Sequence, residues 1–463
     1  MQIKILKRVI KINKIFSYID DHKEDMISDL ARLIKIPSVM GVAEESAPFG
    51  KYPAAALSEA LDICKAAGFS VKNIGNYIGT ADFFPAEKIP ELGILVHLDV
   101  VPVGGGWSSD PFILSRRDGK LFGRGAIDDK GPAIAALYAL KAVKESGVKL
   151  SKNVRMIFGT NEENGSKDLE KYRAVEKLPE MLFTPDGSYP VINTEKGMIR
   201  ISYKANVYEK IISAAGGNAV NAVPEYAEAV LDFSTIEIEK FADKFEGVKI
   251  SAEAFEGKIK ITAQGKGAHA STPEGGKNAV TALLAVISEI TGDGKAAALS
   301  AMFPYGETDG LSAGIKCSDE ISGGLTTVLS VLDVRNGQLE AWQDIRFPAE
   351  KTSGEILELL KKTAEKHGLE FTADMVSEPH HVPEESEFVQ ALLGVYEEFT
   401  GEKGHCVAIG GGTYVHETAG GVAFGAEFPN EENNMHGADE FITEESLVKN
   451  AKIFAAAIVR LCK

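Results

Sequence analysis

Short apolar runs that end in polar or glycine-rich turns recur along the chain, at ELGILVHLD, NVRMIFGTNEE, MLFTPDG, CVAIGGGTYV and GVAFGAEFP. Continuous apolar runs of this length read as strands covered on both faces. Helical patterns alternate with them, notably KGPAIAALYALKAVKES and ESEFVQALLGVYEEFTG. Gly131-Pro132 sits at the start of the first of these, where a missing N–H does no harm. Strand and helix in alternation predict an α/β architecture for the outer thirds, with a mixed, largely parallel sheet flanked by helices. Between about residues 195 and 385 the pattern changes. GMIRISYKANV, AEAVLDFS and GKIKITAQGKG alternate apolar with polar positions, as strands with one wet face do, and mix with helices such as NAVTALLAVISEIT. This predicts an inserted α+β domain at residues 195–385, interrupting an outer domain made of residues 1–194 and 386–463.

At the N-terminus, Ile5, Val9, Ile12 and Phe16 fall at helical spacing within MQIKILKRVIKINKIF. Charges break its apolar stretches every two or three positions, so it lacks the apolar segment of a signal peptide and reads as an amphipathic helix packed on the body. No run of about 18 apolar residues is present to span a bilayer.

Length and composition narrow the class. A chain of 463 residues exceeds one ordinary core, and 44% hydrophobic with 25% charged residues is globular material. The formal charge of -17 opposes binding to nucleic acid or anionic membrane, since phosphate repulsion would work against counterion release. Cys64, Cys317, Cys406 and Cys462 lie far apart with no CxxC spacing and read as free thiols of a reducing compartment, which points to the cytoplasm.

The candidate chemistry gathers at the C-terminal ends of the predicted strands, the edge where open α/β sheets bind ligands. His97 closes GILVH, Asp128 sits in GRGAIDDKG, Glu163 follows RMIFGTNE, Asp186 follows MLFTP, and His436 lies in the late loop NNMHGADE. Singly, each is a turn former, a helix cap or an ordinary buried histidine. Together, two imidazoles and three carboxylates are the donor set that a pair of divalent ions such as zinc, cobalt or manganese accepts. Two such ions, three carboxylates and a bridging hydroxide would be near neutrality, which lowers the cost of burying the cluster. Closely spaced ions need a shared oxygen bridge, and Asp128 is the residue chosen for it.

HLDVVPVGGGWSSDPF, GRGAIDDKGP, GTNEENGS, TPDG and GAHASTPEGGKNA resemble, in order and rough spacing, the motifs of the M20 metallopeptidase family, from about residue 20 to the end. The length, the insert, GGNAVNAVPEYA and AIGGGTYVHE are most similar to the monomeric bacterial dipeptidases of the PepV type, also called carnosinase-like or Xaa-His dipeptidases. The resemblance implies a catalytic outer domain with an inserted α+β lid, and a monomer that cleaves dipeptides. It assigns His97 and Asp186 to one metal, Glu163 and His436 to the other, with Asp128 shared; zinc is the first expectation, manganese and cobalt the alternatives. Glu162 becomes the general base acting on a metal-bridging water. Asp99 is expected to turn back and hold the imidazole of His97, while Asp129 shapes a junction that is often a non-trans peptide in this family. From the insert, His269 would hydrogen-bond the developing oxyanion and Asn221 would orient the substrate. Arg346 would pair with the dipeptide carboxylate, with Arg335 as the competing arginine, and Gly410, Gly411 and Gly412 would offer N–H groups to the same carboxylate.

Asn161 departs from the Asp common at that position and reads as a loop-orienting residue; His380, His381 and His405 match no ligand motif. The enzymatic rival is an M20-type deacylase or desuccinylase of N-acyl amino acids, and the rival of another class is an inactive metal-binding relative. Retention of all five ligand candidates and of Glu162 argues against the latter.

Overall fold

The structure is a computed structural model that describes residues 2–85 and 88–463, with side chains from residue 12 onward. The chain divides into two compact units, one of residues 1–193, 381–407 and 413–463, the other of residues 194–380 and 408–412.

The first unit is built on a mixed sheet. Four neighbouring strands, Asn153–Gly159, Pro90–His97, Met181–Thr184 and Gly421–Ala423, form a parallel block at its centre. Ile78–Asp82 and then Ser70–Ile74 extend it antiparallel on one side, and Val191–Glu195 joins antiparallel to Gly421–Ala423 on the other. Alternation along each strand feeds two cores. Ile94, Val96, Met156 and Phe158 enter a large core with helices Lys130–Glu145 and Glu444–Cys462, while Leu95 and Ile157 pack on the opposite face with Leu169, Tyr172 and Tyr414. Covered on both faces, these strands are the unbroken apolar runs of the sequence.

The parallel register positions the site. His97 pairs with Gly159 and Ile94 with Phe183, so three strands end side by side and release their following loops at one edge. Gly159 is required there, because a Cβ would lie 1.7 Å from the Tyr414 hydroxyl oxygen. The N-terminal helix Gln2–Asp21 buries Ile15 and Ile19, with Phe16 partly covered, so its inward stripe lies beside the one expected from Ile12 and Phe16. The side chains of Ile5 and Val9 lie outside the described residues. All four cysteines are free, and no described helix is long and apolar enough to cross a membrane.

The second unit is α+β. Its eight-stranded sheet is antiparallel at each described pairing, in the order Lys249–Phe255, Lys258–Gln264, Tyr226–Leu231, Ile211–Gly216, Thr326–Arg335, Gln338–Phe347, Gly197–Asn206, Phe371–Ser377. Ile199, Ile201 and Tyr203 join the core under helices Ala279–Thr291, Gly294–Met302 and Ser353–Lys366, whereas the alternate positions Arg200, Ser202 and Lys204 lie outside it. Each of these helices starts at a side-chain cap: Asn278, Asp293, and Thr352 in a capping box with Glu355.

Candidate functional site

The five ligand candidates all fall in the first unit, and their donor atoms converge. His97 is the last residue of its strand, and Asp128 directly precedes Asp129, the N-cap of helix Lys130–Glu145. Glu162 and Glu163 form the short 3-10 turn after strand Asn153–Gly159, and Asp186 lies two residues past strand Met181–Thr184. His97 Nε2 is 2.9 Å from Asp128 Oδ1 and 3.7 Å from Asp186 Oδ2. His436 Nε2 is 2.6 Å from Asp128 Oδ2 and 3.4 Å from Glu163 Oε1. Asp128 thus turns one oxygen to each imidazole. Two donor groups result, His97 with Glu162 and Asp186, and His97 with Asp128 and Glu163.

The surrounding hydrogen bonds set these side chains. His97 Nδ1 lies 3.0 Å from the backbone oxygen of Asp99. A carbonyl only accepts, so Nδ1 carries a proton and, in the neutral ring, the Nε2 lone pair faces the cluster, the tautomer a metal needs. The Asp99 carboxylate is farther from that nitrogen, at 3.6 Å, because it accepts the backbone N–H groups of Glu162 and Glu163 at 3.1 and 3.2 Å. Asp99 therefore holds the histidine by its carbonyl and the glutamate turn by its side chain. Asp129, following a cis peptide, accepts the His97 N–H at 3.1 Å.

Asp168 completes the turn, accepting the N–H groups of Thr160 and Asn161 at 2.6 and 2.9 Å and the Tyr414 hydroxyl at 2.6 Å. Neither residue stands out in the sequence; the one local hint is an acidic residue in the first turn of the helix Lys167–Arg173 just after the glutamates. Asn161 is buried and orients the same loop, its Oδ1 accepting the Lys167 N–H and its Nδ2 facing Met40 Sδ at 3.7 Å. His380, His381 and His405 belong to neither donor group.

Four carboxylates this close are an electrostatic excess. Burial, then the neighbouring Asp128, pushes Asp186 up to about 7, and burial likewise carries Glu162 and Glu163 above the usual carboxylate range. Asp128 is held below that range, against its own burial, chiefly by its hydrogen bond with His436. Asp128 and Glu163 push His436 up to about 11. Buried His97 Nε2 and Glu163 Oε1 have no hydrogen-bond partner. Orphaned ligand atoms, a ligating tautomer and crowded carboxylates are what a cationic centre would satisfy, so the residues fit divalent metal.

In the second unit another group assembles. His269 pairs with Ala222 across a short two-stranded ladder, and Ala270 N–H donates to the Asn221 carbonyl at 2.9 Å. Nδ1 of His269 accepts the Ser271 backbone N–H at 3.2 Å and lies 2.6 Å from the Ser271 hydroxyl oxygen. A backbone N–H only donates, so in the neutral ring the proton sits on Nε2, making that atom a donor. Gly410 packs on Ser271, where a Cβ would meet the Ser271 Cβ at 2.7 Å, and Gly411 and Gly412 complete the same segment. Arg346 is 2% exposed; Nε and Nη2 bind Asp344 at 2.5 and 3.1 Å, and Nη1 donates to the Gly410 carbonyl at 2.9 Å. Arg335 instead sits at the hairpin end, its side chain 77% exposed and paired with Asp333. The structure therefore brings Asn221, His269, Gly410 and Arg346 together and leaves Arg335 outside.

The motifs and this geometry agree with the comparisons. The model of peptidase family M20/M25/M40 matches residues 93–460. The chain is 37% identical over 458 residues to the putative dipeptidase YtjP of Bacillus subtilis, covering 95% of this chain and 98% of that protein. It is 35% identical over 462 residues to the Beta-Ala-Xaa dipeptidase of Lactobacillus delbrueckii subsp. lactis, covering 95% and 97%. Among solved structures, human carnosine dipeptidase 1 shares the fold with a TM-score of 0.59 at 14% identity, over 97% of this chain and 99% of that one. The dipeptidase Dug1p of Saccharomyces cerevisiae does so with a TM-score of 0.60 at 13% identity, over 97% and 98%. A family match over most of the chain, and relatives above 30% identity along nearly all of it, show that this chain belongs to the M20 peptidases and is a metallopeptidase.

Proposed function

We propose that the chain hydrolyses the peptide bond of unblocked dipeptides at a centre for two divalent ions. Asp128 would be shared between them, His97 and Asp186 would hold one ion, and Glu163 and His436 would hold the other. The observation that carries this reading is the carboxylate of Asp128, whose two oxygens face two different imidazoles at 2.9 and 2.6 Å. Relatives named as dipeptidases, at 37% and 35% identity, favour a dipeptide over an N-acyl amino acid as the substrate. Zinc suits the mixed imidazole and carboxylate donors, and manganese or cobalt are the alternatives.

When bound, the ions supply a water of lowered pKa and polarise the scissile carbonyl. Glu162 takes the proton of the attacking water and delivers it to the leaving amine. Asp99 keeps Glu162 and Glu163 in place through their backbone N–H groups. The second unit is read as the lid that binds substrate. His269 donates from Nε2 to the oxygen on which charge develops, a contact worth about 3 kcal/mol when well placed. Arg346, with N–H groups left over from Asp344, and the backbone of Gly410, Gly411 and Gly412 take the dipeptide carboxylate, while Asn221 orients the substrate. We place the enzyme in the cytoplasm, in keeping with four free thiols, and as a monomer whose one chain supplies both units.

The test is a substrate panel: full-length protein with zinc or manganese, offered free dipeptides, N-acetyl amino acids and tripeptides. Cleavage of free dipeptides alone is expected. Turnover of blocked amino acids without turnover of free dipeptides would sink the reading.

A further inference from the structure

We propose that the buried Arg124–Glu440 pair is a positioning device that holds the loops carrying His97, Asp128 and His436 at the spacing the metal centre needs. The inference rests on the ligand reading above and concerns two residues outside it. Strand Phe441–Thr443 pairs antiparallel with Lys120–Phe122, Phe441 opposite Phe122. This register carries Glu440 up against the following GRG segment, where the Gly123 N–H donates to the Glu440 carbonyl at 3.0 Å. Arg124 is 1% exposed and Glu440 is fully buried, with Nη1 to Oε2 at 2.5 Å.

Each partner then reaches a ligand loop. Glu440 Oε1 accepts the backbone N–H groups of Gly125, Ile127 and Asp128 at 3.0, 3.0 and 3.3 Å, so the approach to Asp128 is wound around one carboxylate oxygen. Gly125 permits the winding, with φ of 89°, and a Cβ there would strike the Lys130 side chain at 2.9 Å. Arg124 Nη2 donates to the His436 carbonyl at 3.2 Å and faces the carbonyls of Pro102 and Val103 at 3.5 Å, on the segment that follows His97. The His436 loop needs such an anchor: Asn434, His436 and Asp439 adopt φ of 54°, 60° and 55°, a left-handed region that few side chains favour. A buried ion pair by itself adds little net stability compared with apolar packing. Spanning three ligand loops gives this one a purpose that packing alone would not.

The test is titration of metal-free, full-length protein with cobalt(II) chloride, read by visible absorption and chelator competition, on wild type, Glu440→Gln and Asp82→Asn. Asp82 is a matched control, bound by Arg155 at 2.7 and 2.9 Å in the same unit. Glu440→Gln is expected to weaken cobalt binding ~10–100-fold, the usual cost of losing a partner behind a ligand, while Asp82→Asn stays within about twofold of wild type. Metal-free melting temperatures would fall comparably in both. Should Glu440→Gln not fold, Arg124→Lys carries the test, because a single ammonium cannot span Glu440 and the His436 carbonyl together, and weaker cobalt binding is again expected. Wild-type affinity in the folded variant, or equal weakening in Asp82→Asn, overturns the inference. A wild type that binds no cobalt overturns the ligand reading itself, and the inference with it.

Discussion

Asp99 Oδ1 accepts the backbone N–H of Glu162 at 3.1 Å, so the residue two places beyond His97 fixes the turn on which the general base sits. Its other oxygen takes the N–H of Glu163 at 3.2 Å. One carboxylate thereby aims both glutamates. In an Asp99→Asn variant one of these N–H groups would face an amide NH2, two donors opposed, and the turn would shift. The expected result is a ~10–100-fold fall in kcat with both metals retained, measured by steady-state kinetics beside metal analysis. Unchanged kcat would remove Asp99 from the site.

The adjacent glutamates are expected to separate by function. Glu162→Gln keeps the size of the side chain and abolishes its basicity, so turnover should drop ~10²–10⁴-fold at full metal content. Glu163→Gln should instead lose one ion, because its Oε1 is a buried atom near His436 with no other partner. Metal stoichiometry on the two proteins decides this. The same stoichiometry in both would end the division of roles.

His97, Glu163 and Asp186 were legible because each ends or follows an unbroken apolar run, and buried parallel strands must be such runs: His97, Gly159 and Thr184 end them in the structure as in the pattern. Asp168, Tyr414, Arg124 and Glu440 were not. Their contacts join residues up to 316 positions apart, and a register such as Phe441 opposite Phe122 leaves no local periodicity to find. The N-terminal helix shows the same limit, since the exact inward face depends on the surface it meets, here Ile15 and Ile19. One further signal is local in the sequence. Asp344 and Arg346 are two apart on a strand, hence on one face, which already sets Arg346 apart as a residue with a built-in partner.

That partnership makes the two arginines distinguishable. Arg335→Ala is expected to leave KM and stability unchanged, as a screened surface pair with Asp333 contributes at most about 1 kcal/mol. Arg346→Ala would leave the fully buried Asp344 with the more distant Arg200 Nε at 3.5 Å, a loss of about 3 kcal/mol, and would confound any kinetic reading. Arg346→Lys is the informative variant. It keeps a cation for Asp344 but loses the planar fork, so KM for dipeptides should rise more than kcat falls. A larger KM effect from Arg335 would reverse the assignment.

A last prediction concerns acid stability away from the metals. Glu444 opens the helix Glu444–Cys462, where a negative charge is favoured. Its two oxygens bind Arg116 Nε and Nη2 at 2.6 and 2.8 Å, and Lys23 joins them. The Arg116 hydrogen bonds, with help from Lys23, pull its carboxyl down to about 2. A carboxylate lowered on folding contributes stability that is complete above its unfolded value, near ~4.3, and is lost as pH falls toward the folded value. Glu444→Gln should therefore melt below wild type at neutral pH, by the equivalent of about 1 kcal/mol given that Arg116 is half-exposed. The gap should hold down to about pH 5 and close as pH falls further. Melting metal-free protein from pH 7 to pH 3 keeps metal release out of the comparison. A gap that stays constant to pH 3 would show that Glu444 does not titrate with folding in this window.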